Sequence, residues 1–142
     1  MTEFPITSQD IILKCIPQRN PIVMVDSLLE YSEKTLKAGH FVTKGRLFTA
    51  DVLTEPGLIE HMAQSVALHT GYGYYIKNAP APVGYIGSIS NLTIHRLPEL
   101  EECIETEIDI LQEFSGITLV DIRSKVKGEL IACGQMKTVI AQ

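Results

Sequence analysis

The fold can be argued from one run of residues, Glu55-Pro56-Gly57-Leu58-Ile59-Glu60-His61-Met62-Ala63-Gln64-Ser65-Val66-Ala67-Leu68. Pro56 suits the first turn of a helix, where its missing N–H costs little, and Thr54 or Glu55 is a suitable cap. Apolar residues wrap most of the circumference, so we expect a helix that is buried on nearly all sides and runs to roughly Tyr75. A carboxylate in such a helix is costly unless it is paired or used, and Glu60 is therefore the main functional candidate.

Most of the remaining chain has the pattern of β-strands. Thr7 or Ser8 can cap a short helix near the N-terminus, and two strands follow, over residues 22–31 and 35–43. Four strands separated by short turns come after the long helix, over residues 83–95, 103–114, 117–126 and 130–141. Short turns between consecutive strands indicate an antiparallel sheet. One sheet can enclose a helix only by curling around it. We therefore predict an α+β fold, a curved antiparallel sheet wrapped around one long central helix, as a single domain over residues 1–142.

Composition excludes several classes of function. The chain carries a net charge of −5 with no block of like charges, which argues against nucleic acid as a partner and against a basic membrane-binding face. No window approaches the roughly 20 apolar residues that a membrane span needs, and the first residues do not resemble a signal peptide, so we expect a soluble cytoplasmic protein. The three cysteines are widely spaced, which predicts buried reduced thiols. No metal or redox cofactor is indicated.

Three motifs follow one another along the chain. The first is Ile16-Pro17-Gln18-Arg19-Asn20-Pro21-Ile22-Val23-Met24-Val25-Asp26, the second is Glu60-His61-Met62-Ala63-Gln64 and the third is Asn91-Leu92-Thr93-Ile94-His95-Arg96-Leu97-Pro98. In this order and spacing they resemble the motifs of the 3-hydroxyacyl-acyl-carrier-protein dehydratase family, which has the hot-dog fold. The likeness runs from about Ile16 to Ile140 and is greatest to the branch found in aryl-polyene and flexirubin pigment clusters. It implies a hot-dog fold, a thioester of acyl carrier protein or coenzyme A as substrate, and a homodimer or larger homo-oligomer with the site at the interface.

The sequence departs from the family at the catalytic histidine. That histidine stands in a Gly-His-Phe-Pro motif before the helix, and counting back from Glu60 without gaps places Arg46 at its position. A literal Gly39-His40-Phe41 does occur. It lies six residues farther from Glu60, since 46 − 40 = 6, and falls within a strand pattern, so we interpret it as coincidental. Gln18 likewise replaces a histidine of the first motif.

The family's reaction defines the groups that the site would need. Eliminating water from a 3-hydroxyacyl thioester requires a base for the α-proton, an acid for the leaving hydroxyl and donors for the thioester oxygen. The resemblance implies that Glu60 is the acid and that Gln64, one turn later, orients it. It also implies that backbone N–H groups near Gly57 and Leu58 serve the oxygen.

The identity of the base stays open among four histidines. His61 follows Glu60 but points about 100° away around the helix, toward a subunit interface or a loop. His40 lies on a strand whose face could look toward the helix start of a neighbouring subunit. We take these two as the candidates, ahead of His69 and His95.

Arg46 and Glu60 each have an alternative interpretation. Arg46 is a poor base because it stays protonated, but it could hold the Glu60 carboxylate or bind a phosphopantetheine phosphate. Glu60 could instead be a structural acceptor in a salt bridge to Arg46 or Arg19.

Three functions follow from these interpretations. The first is a dehydratase of 3-hydroxyacyl thioesters on acyl carrier protein. The second is a non-catalytic subunit that binds thioesters or partners an active dehydratase, which Arg46 at the histidine position favours. The third is a hot-dog thioesterase, in which a carboxylate activates water. We expect the first.

Overall fold

Two helices and six strands make up the structure, a computed structural model that describes residues 3–141. The elements are α1 (Gln9–Cys15), β1 (Ser27–Tyr31), β2 (Thr35–Phe41), α2 (Glu55–Tyr75), β3 (Gly84–Ile94), β4 (Cys103–Phe114), β5 (Ile117–Val126) and β6 (Glu129–Ile140). Their order is the predicted one, and the predicted bounds of α2, β4 and β5 are confirmed.

The six strands form one antiparallel sheet in the order β1-β2-β4-β5-β6-β3. Two-residue turns close the two central hairpins: Ser115-Gly116 joins β4 to β5, and Lys127-Gly128 joins β5 to β6. All four turn residues have positive φ, from 51° to 81°. Turns of this hand match the twist of the strands they join, and the glycine in each second position adopts it without steric cost.

Helix α2 lies against the inner face of this sheet and contacts β2, β4 and β5. Alternate strand residues point inward, so every second side chain is buried against the helix over part of each central strand, as at Ile104, Thr106 and Ile108 of β4. The buried core includes Leu36, Ala38, Leu58, Met62, Val66, Ile104, Ile108, Val120, Ile122 and Val126. The predicted α+β fold, a curved sheet around one long helix, is confirmed.

One side of α2 departs from the prediction that the helix is buried nearly all round. Ile59, Glu60, Ala63, Ala67 and Thr70 are only partly buried. They recur at helical spacing, so they form one stripe along the helix that the sheet does not cover.

The first predicted strand is too long at its start. Residues 22–25 are not a strand; this segment is extended and crosses α2, and Val23, Met24 and Val25 are buried in doing so. We call residues 22–26 the strap. The backbone of Ile22, Val23 and Met24 bonds to side chains, whereas the Asp26 N–H donates to Gly39 O of β2 at 2.8 Å.

The cysteines differ in exposure. Cys15 is buried, Cys133 is intermediate and Cys103 is exposed, so the expectation of buried thiols is confirmed only for Cys15. The outward place of Cys103 on β4 follows from the alternation that buries Ile104. Neither helix within residues 3–141 combines the length and hydrophobicity needed to cross a bilayer.

Candidate active site around Glu60

Two cavities meet at Glu60, between α2 and the end of the sheet that carries β3. The first has a volume of about 490 Å³ and is lined by Phe48, Glu55, Pro56, Ile59, Glu60, Ala63 and Ile86. The second, of about 270 Å³, extends along α2 past Ala63 and Ala67 to Thr70, with Gly84, Tyr85 and Ile86 of β3 opposite. Glu60, Ala63 and Ile86 line both cavities. The uncovered stripe of α2 is therefore the wall of a continuous, largely apolar groove with one carboxylate at its middle.

Gln64 holds the Glu60 carboxylate from one turn further along α2. Its Nε2 donates to Glu60 Oε2 at 2.9 Å and to Ile22 O at 2.8 Å, while its Oε1 accepts from the Met24 N–H at 2.6 Å. The strap offers one acceptor and one donor, so only this orientation of the amide satisfies both. Both N–H groups of Gln64 are thus used, and its side chain is fully buried. The expected contact between Gln64 and Glu60 is present.

His61 lies in the core, and it is not among the residues that line the two cavities beside Glu60. It is fully buried, its Nδ1 is 2.7 Å from Met24 O and its Nε2 is 2.7 Å from the Thr106 hydroxyl. A carbonyl can only accept, so Nδ1 carries the proton and Nε2 accepts from Thr106. Burial, with a smaller contribution from His40, lowers the pKa of His61 to about 4. The expectation that His61 faces an interface or a loop is wrong, because the inner face of the sheet covers it.

His40 is also buried, on the inward face of β2, with its ring centroid 5.7 Å from that of His61. Its Nδ1 lies 3.3 Å from Asp26 Oδ2, and its Nε2 has no partner within residues 3–141. Burial alone would raise the pKa of Asp26, but His40, the Phe41 N–H and Arg46 together lower it below its usual value. His40 therefore belongs to a buried cluster with Asp26, and it does not line either cavity.

Arg46 contacts the strap and not Glu60. Its Nη2 donates to Val23 O at 2.5 Å, and its Nη1 lies 3.7 Å from Asp26 Oδ1. Arg19 donates to the carbonyls of Ile16 and Gln18. Within residues 3–141 neither arginine forms a salt bridge to Glu60, so the expected pairing of this carboxylate with Arg46 or Arg19 is wrong.

Of the two N–H groups expected to bind the thioester oxygen, that of Leu58 is already bonded. The Leu58 N–H donates to Thr54 O at 2.9 Å, as the fourth residue of a helix does, so the expectation that it serves a thioester oxygen is wrong. Gly57 stands one position earlier and remains a candidate. Thr54 is the N-cap residue, but its hydroxyl donates to Phe48 O at 2.8 Å instead of capping the helix.

The structure thus brings together Glu60 and Gln64, with Gly57 in the first turn of the same helix, and it sets His40 and His61 apart from them. Sequence analysis missed the backbone of Ile22 and Met24, because a run of β-branched and apolar residues is typical of a strand. The signal that could have revealed the strap is the proline at position 21, which interrupts a strand's hydrogen bonding.

Comparisons with known proteins agree with this architecture. The sequence profile of the ApeP-like family, described as ApeP dehydratase, matches residues 11–141. The 3-hydroxyacyl-[acyl-carrier-protein] dehydratase FabZ of Shewanella sp. (strain MR-4) is 26% identical over 134 residues, which are 88% of this chain and 86% of that protein. FabZ of Actinobacillus pleuropneumoniae serotype 5b is 28% identical over 127 residues, with 84% and 82% covered.

Two solved structures illustrate the likeness in fold. A chain of the dehydratase heterocomplex ApeI:P from Xenorhabdus doucetiae superposes with a TM-score of 0.82 at 12% identity, covering 99% of this chain and 93% of that one. A hypothetical thioesterase from Streptococcus pneumoniae, solved with coenzyme A, superposes with a TM-score of 0.64 at 9% identity, covering 80% and 84%. The chain belongs to the ApeP-like family of dehydratases, since the profile spans nearly its whole length.

Proposed function

We propose that this member of the ApeP-like dehydratase family eliminates water from a 3-hydroxyacyl thioester carried on acyl carrier protein, and that Glu60 protonates the leaving hydroxyl. The observation that carries the proposal is the place of Glu60 at the junction of two cavities, with Gln64 fixing one of its oxygens. The relatives named as 3-hydroxyacyl-[acyl-carrier-protein] dehydratases support the choice of substrate.

The proposed step balances with two groups. A base removes the proton from C2 of the acyl chain, the C2–C3 double bond forms, and the C3–O bond breaks as protonated Glu60 gives its proton to the hydroxyl. Water and an unsaturated thioester result, and proton exchange with solvent restores both groups. The first cavity, lined by Phe48 and Ile59, would hold one part of the substrate, and the second cavity, along Ala67 and Thr70, would hold the rest.

A histidine base is absent from the described residues that line the two cavities. Burial raises the pKa of Cys15 to about 11, which keeps its thiol protonated. Glu55, on the rim, is the remaining carboxylate of the first cavity. We therefore propose that the base comes from a second chain.

The edge of the sheet beside the cavities suits such a chain. Within residues 3–141, strand β3 pairs with β6 along one edge, and its other edge is unpaired. The strand also exposes Tyr85, Ile86 and Ile89. An apolar unpaired edge strand is a template for pairing with another sheet. A partner bound there would cover the groove next to Glu60.

The histidines of this chain favour a different polypeptide over a second copy as the source of the base. His40, His61 and His69 are buried, and His95, beyond the end of β3, is the exposed one. The similar ApeI:P assembly from Xenorhabdus doucetiae is a dehydratase heterocomplex. We accordingly propose a heteromeric dehydratase; in the expected homodimer, the base would have to come from His95 of the second copy.

The test is a turnover assay on purified protein with 3-hydroxyacyl carrier-protein thioesters, followed by mass spectrometry. We compare the protein alone with a mixture that contains a second hot-dog chain carrying an exposed histidine. Glu60→Gln is the test variant and Glu55→Gln the matched control, since both remove one carboxylate from the first cavity.

We expect loss of one water only in the mixture, abolished by Glu60→Gln and retained by Glu55→Gln. Turnover by the protein alone that His95→Ala abolishes would assign the base to a second copy. Release of free acid would make the protein a thioesterase. Turnover in the mixture that survives Glu60→Gln would reduce this chain to a non-catalytic partner.

A further inference from the structure

We infer that Arg46 is a positioning residue, which holds the strap so that Gln64 presents its amide to Glu60. The inference rests on the proposed function of Glu60 and adds a role for a residue outside the cavities. It differs from the expectation that Arg46 binds substrate, because Arg46 contacts Val23 O and Asp26 and is not among the residues that line the two cavities.

Side chains bond to four backbone groups of the strap, and the Asp26 N–H donates to Gly39 O of β2 at 2.8 Å. Gln64 takes Ile22 O and the Met24 N–H, Arg46 takes Val23 O, and His61 takes Met24 O. An extended segment outside a sheet has no regular partners for these groups, and a buried backbone group without a partner is destabilising. The three side chains therefore determine where residues 22–24 of the strap lie.

Arg46 is the outer member of these three and is itself fixed. It lies in the loop before α2, with its side chain about one third exposed, and its guanidinium bridges Val23 O and Asp26. Asp26 accepts from the Phe41 N–H at 2.5 Å and lies beside His40. The strap is thus tied through Arg46 and Asp26 to β2, and through Gln64 and His61 to α2.

Movement of the strap would reach Glu60 through one amide group. Both N–H groups of Gln64 are used, by Ile22 O and Glu60, and its oxygen accepts from the Met24 N–H. A shift of Ile22 or Met24 would turn this group and change the angle at which it donates to Glu60 Oε2. Misplacing a catalytic group by about 1 Å can cost on the order of 100-fold in rate.

The geometry requires arginine in particular. One planar guanidinium reaches a carbonyl and a carboxylate at the same time, in a fixed fork. A lysine ammonium could pair with Asp26 or bind Val23 O, but a single nitrogen on a flexible stem does not hold both in one geometry.

The experiment compares Arg46→Met and Arg46→Lys with Arg19→Met as the matched control. Arg19 also donates to backbone carbonyls near the cavities, but it does not touch the strap. The first readout is the side-chain NH₂ pair of Gln64 in ¹⁵N NMR spectra, assigned by its disappearance in Gln64→Glu. It reports the Ile22–Gln64–Glu60 bonds without any turnover. The second readout is kcat and KM for water elimination.

We expect the Gln64 NH₂ protons to exchange at least 10-fold faster in Arg46→Met, with kcat reduced about 10- to 100-fold and KM nearly unchanged. Arg46→Lys should recover part of both effects, and Arg19→Met should change neither. An unchanged Gln64 signal in folded Arg46→Met would overturn the inference, whatever the activity. A perturbed signal with full activity would overturn it too. Failure of the proposed function would give a different result. Glu60→Gln would then leave turnover intact, whereas the Gln64 signal would still test whether Arg46 positions the strap.

Discussion

At the level of one residue, His61 shows that the position of a side chain in the fold, and not its neighbour in the sequence, decides its role. It stands next to Glu60 in the sequence, yet it points into the core and bonds to Met24 O and to Thr106, which bonds in turn to Ser124. These buried polar groups satisfy one another, so the arrangement stabilises the fold only while His61 is neutral.

A pH dependence of stability follows from His61. Its pKa is about 4 in the folded protein and about 6.5 in an unfolded chain, so between these values the unfolded chain binds the extra proton. Stability is therefore full above pH 6.5 and falls as the pH drops. We expect the free energy of unfolding to decrease by about 2 kcal/mol from pH 7 to pH 5 because of this residue.

Urea denaturation at several pH values checks this expectation. His61→Gln has no titrating ring, so its stability should fall less over the same range, although the variant is less stable at pH 7. The range ends at pH 5 because Asp26, with its lowered pKa, contributes stability that is lost only at lower pH. An equal slope in both proteins would contradict the role of the buried ring.

At the level of elements, the contact between the two helices depends on one glycine. A Cβ on Gly71 of α2 would lie 1.6 Å from Cys15 O, at the end of α1. The obstacle is backbone, so it cannot swing aside as a flexible side chain would. Gly71 thus allows the end of α1 to rest on α2, where Cys15, Pro17 and Gln18 line the second cavity.

We expect Gly71→Ala to lower the free energy of unfolding by about 3 kcal/mol or more, because α1 must move away from α2. Gly73→Ala is the matched control two residues later, where the added Cβ would meet only the Tyr31 hydroxyl at 3.1 Å. Alanine is favoured over glycine in a helix by about 1 kcal/mol, so the control should be neutral or more stable. Denaturant unfolding followed by circular dichroism measures both; equal stabilities would refute the close contact.

For the whole molecule, the groove beside Glu60 and the unpaired edge of β3 lie on the same side. The stripe of α2 that carries Glu60 faces the same cavities as Tyr85 and Ile86 of β3. A second chain paired with β3 would bury apolar surface and enclose the site together. Assembly and activity are therefore expected to be lost together.

Charges on β3 test this coupling. We expect the double variant Tyr85→Lys/Ile89→Lys to dissociate the assembly that the unmodified protein forms, alone or with its partner, as measured by light scattering after size exclusion. Phe114→Lys is the control, because Phe114 is 81% exposed but lies at the β4–β5 turn, away from the free edge. An assembly that survives the double variant and is lost in the control would place the interface elsewhere.

Local pattern was enough to predict the sequence of elements. Pro56 sets the start of α2, alternation in β4 and β5 sets their inner faces, and Gly116 marks a tight turn. Each of these signals acts over a few residues, so it can be read before the chain folds. The motif around Glu60 also indicated its family, and the match with the ApeP-like profile confirms it.

Only the tertiary structure decided the surroundings of Glu60. Gln64 bonds to Met24 across 40 positions of sequence, and His61 bonds to Thr106 across 45. Such pairs depend on where the strap and the sheet lie relative to α2, and no local pattern encodes that distance. The sequence by itself therefore determined the helix, the strands and the carboxylate, whereas packing decided which side chains reach that carboxylate and which are sealed in the core.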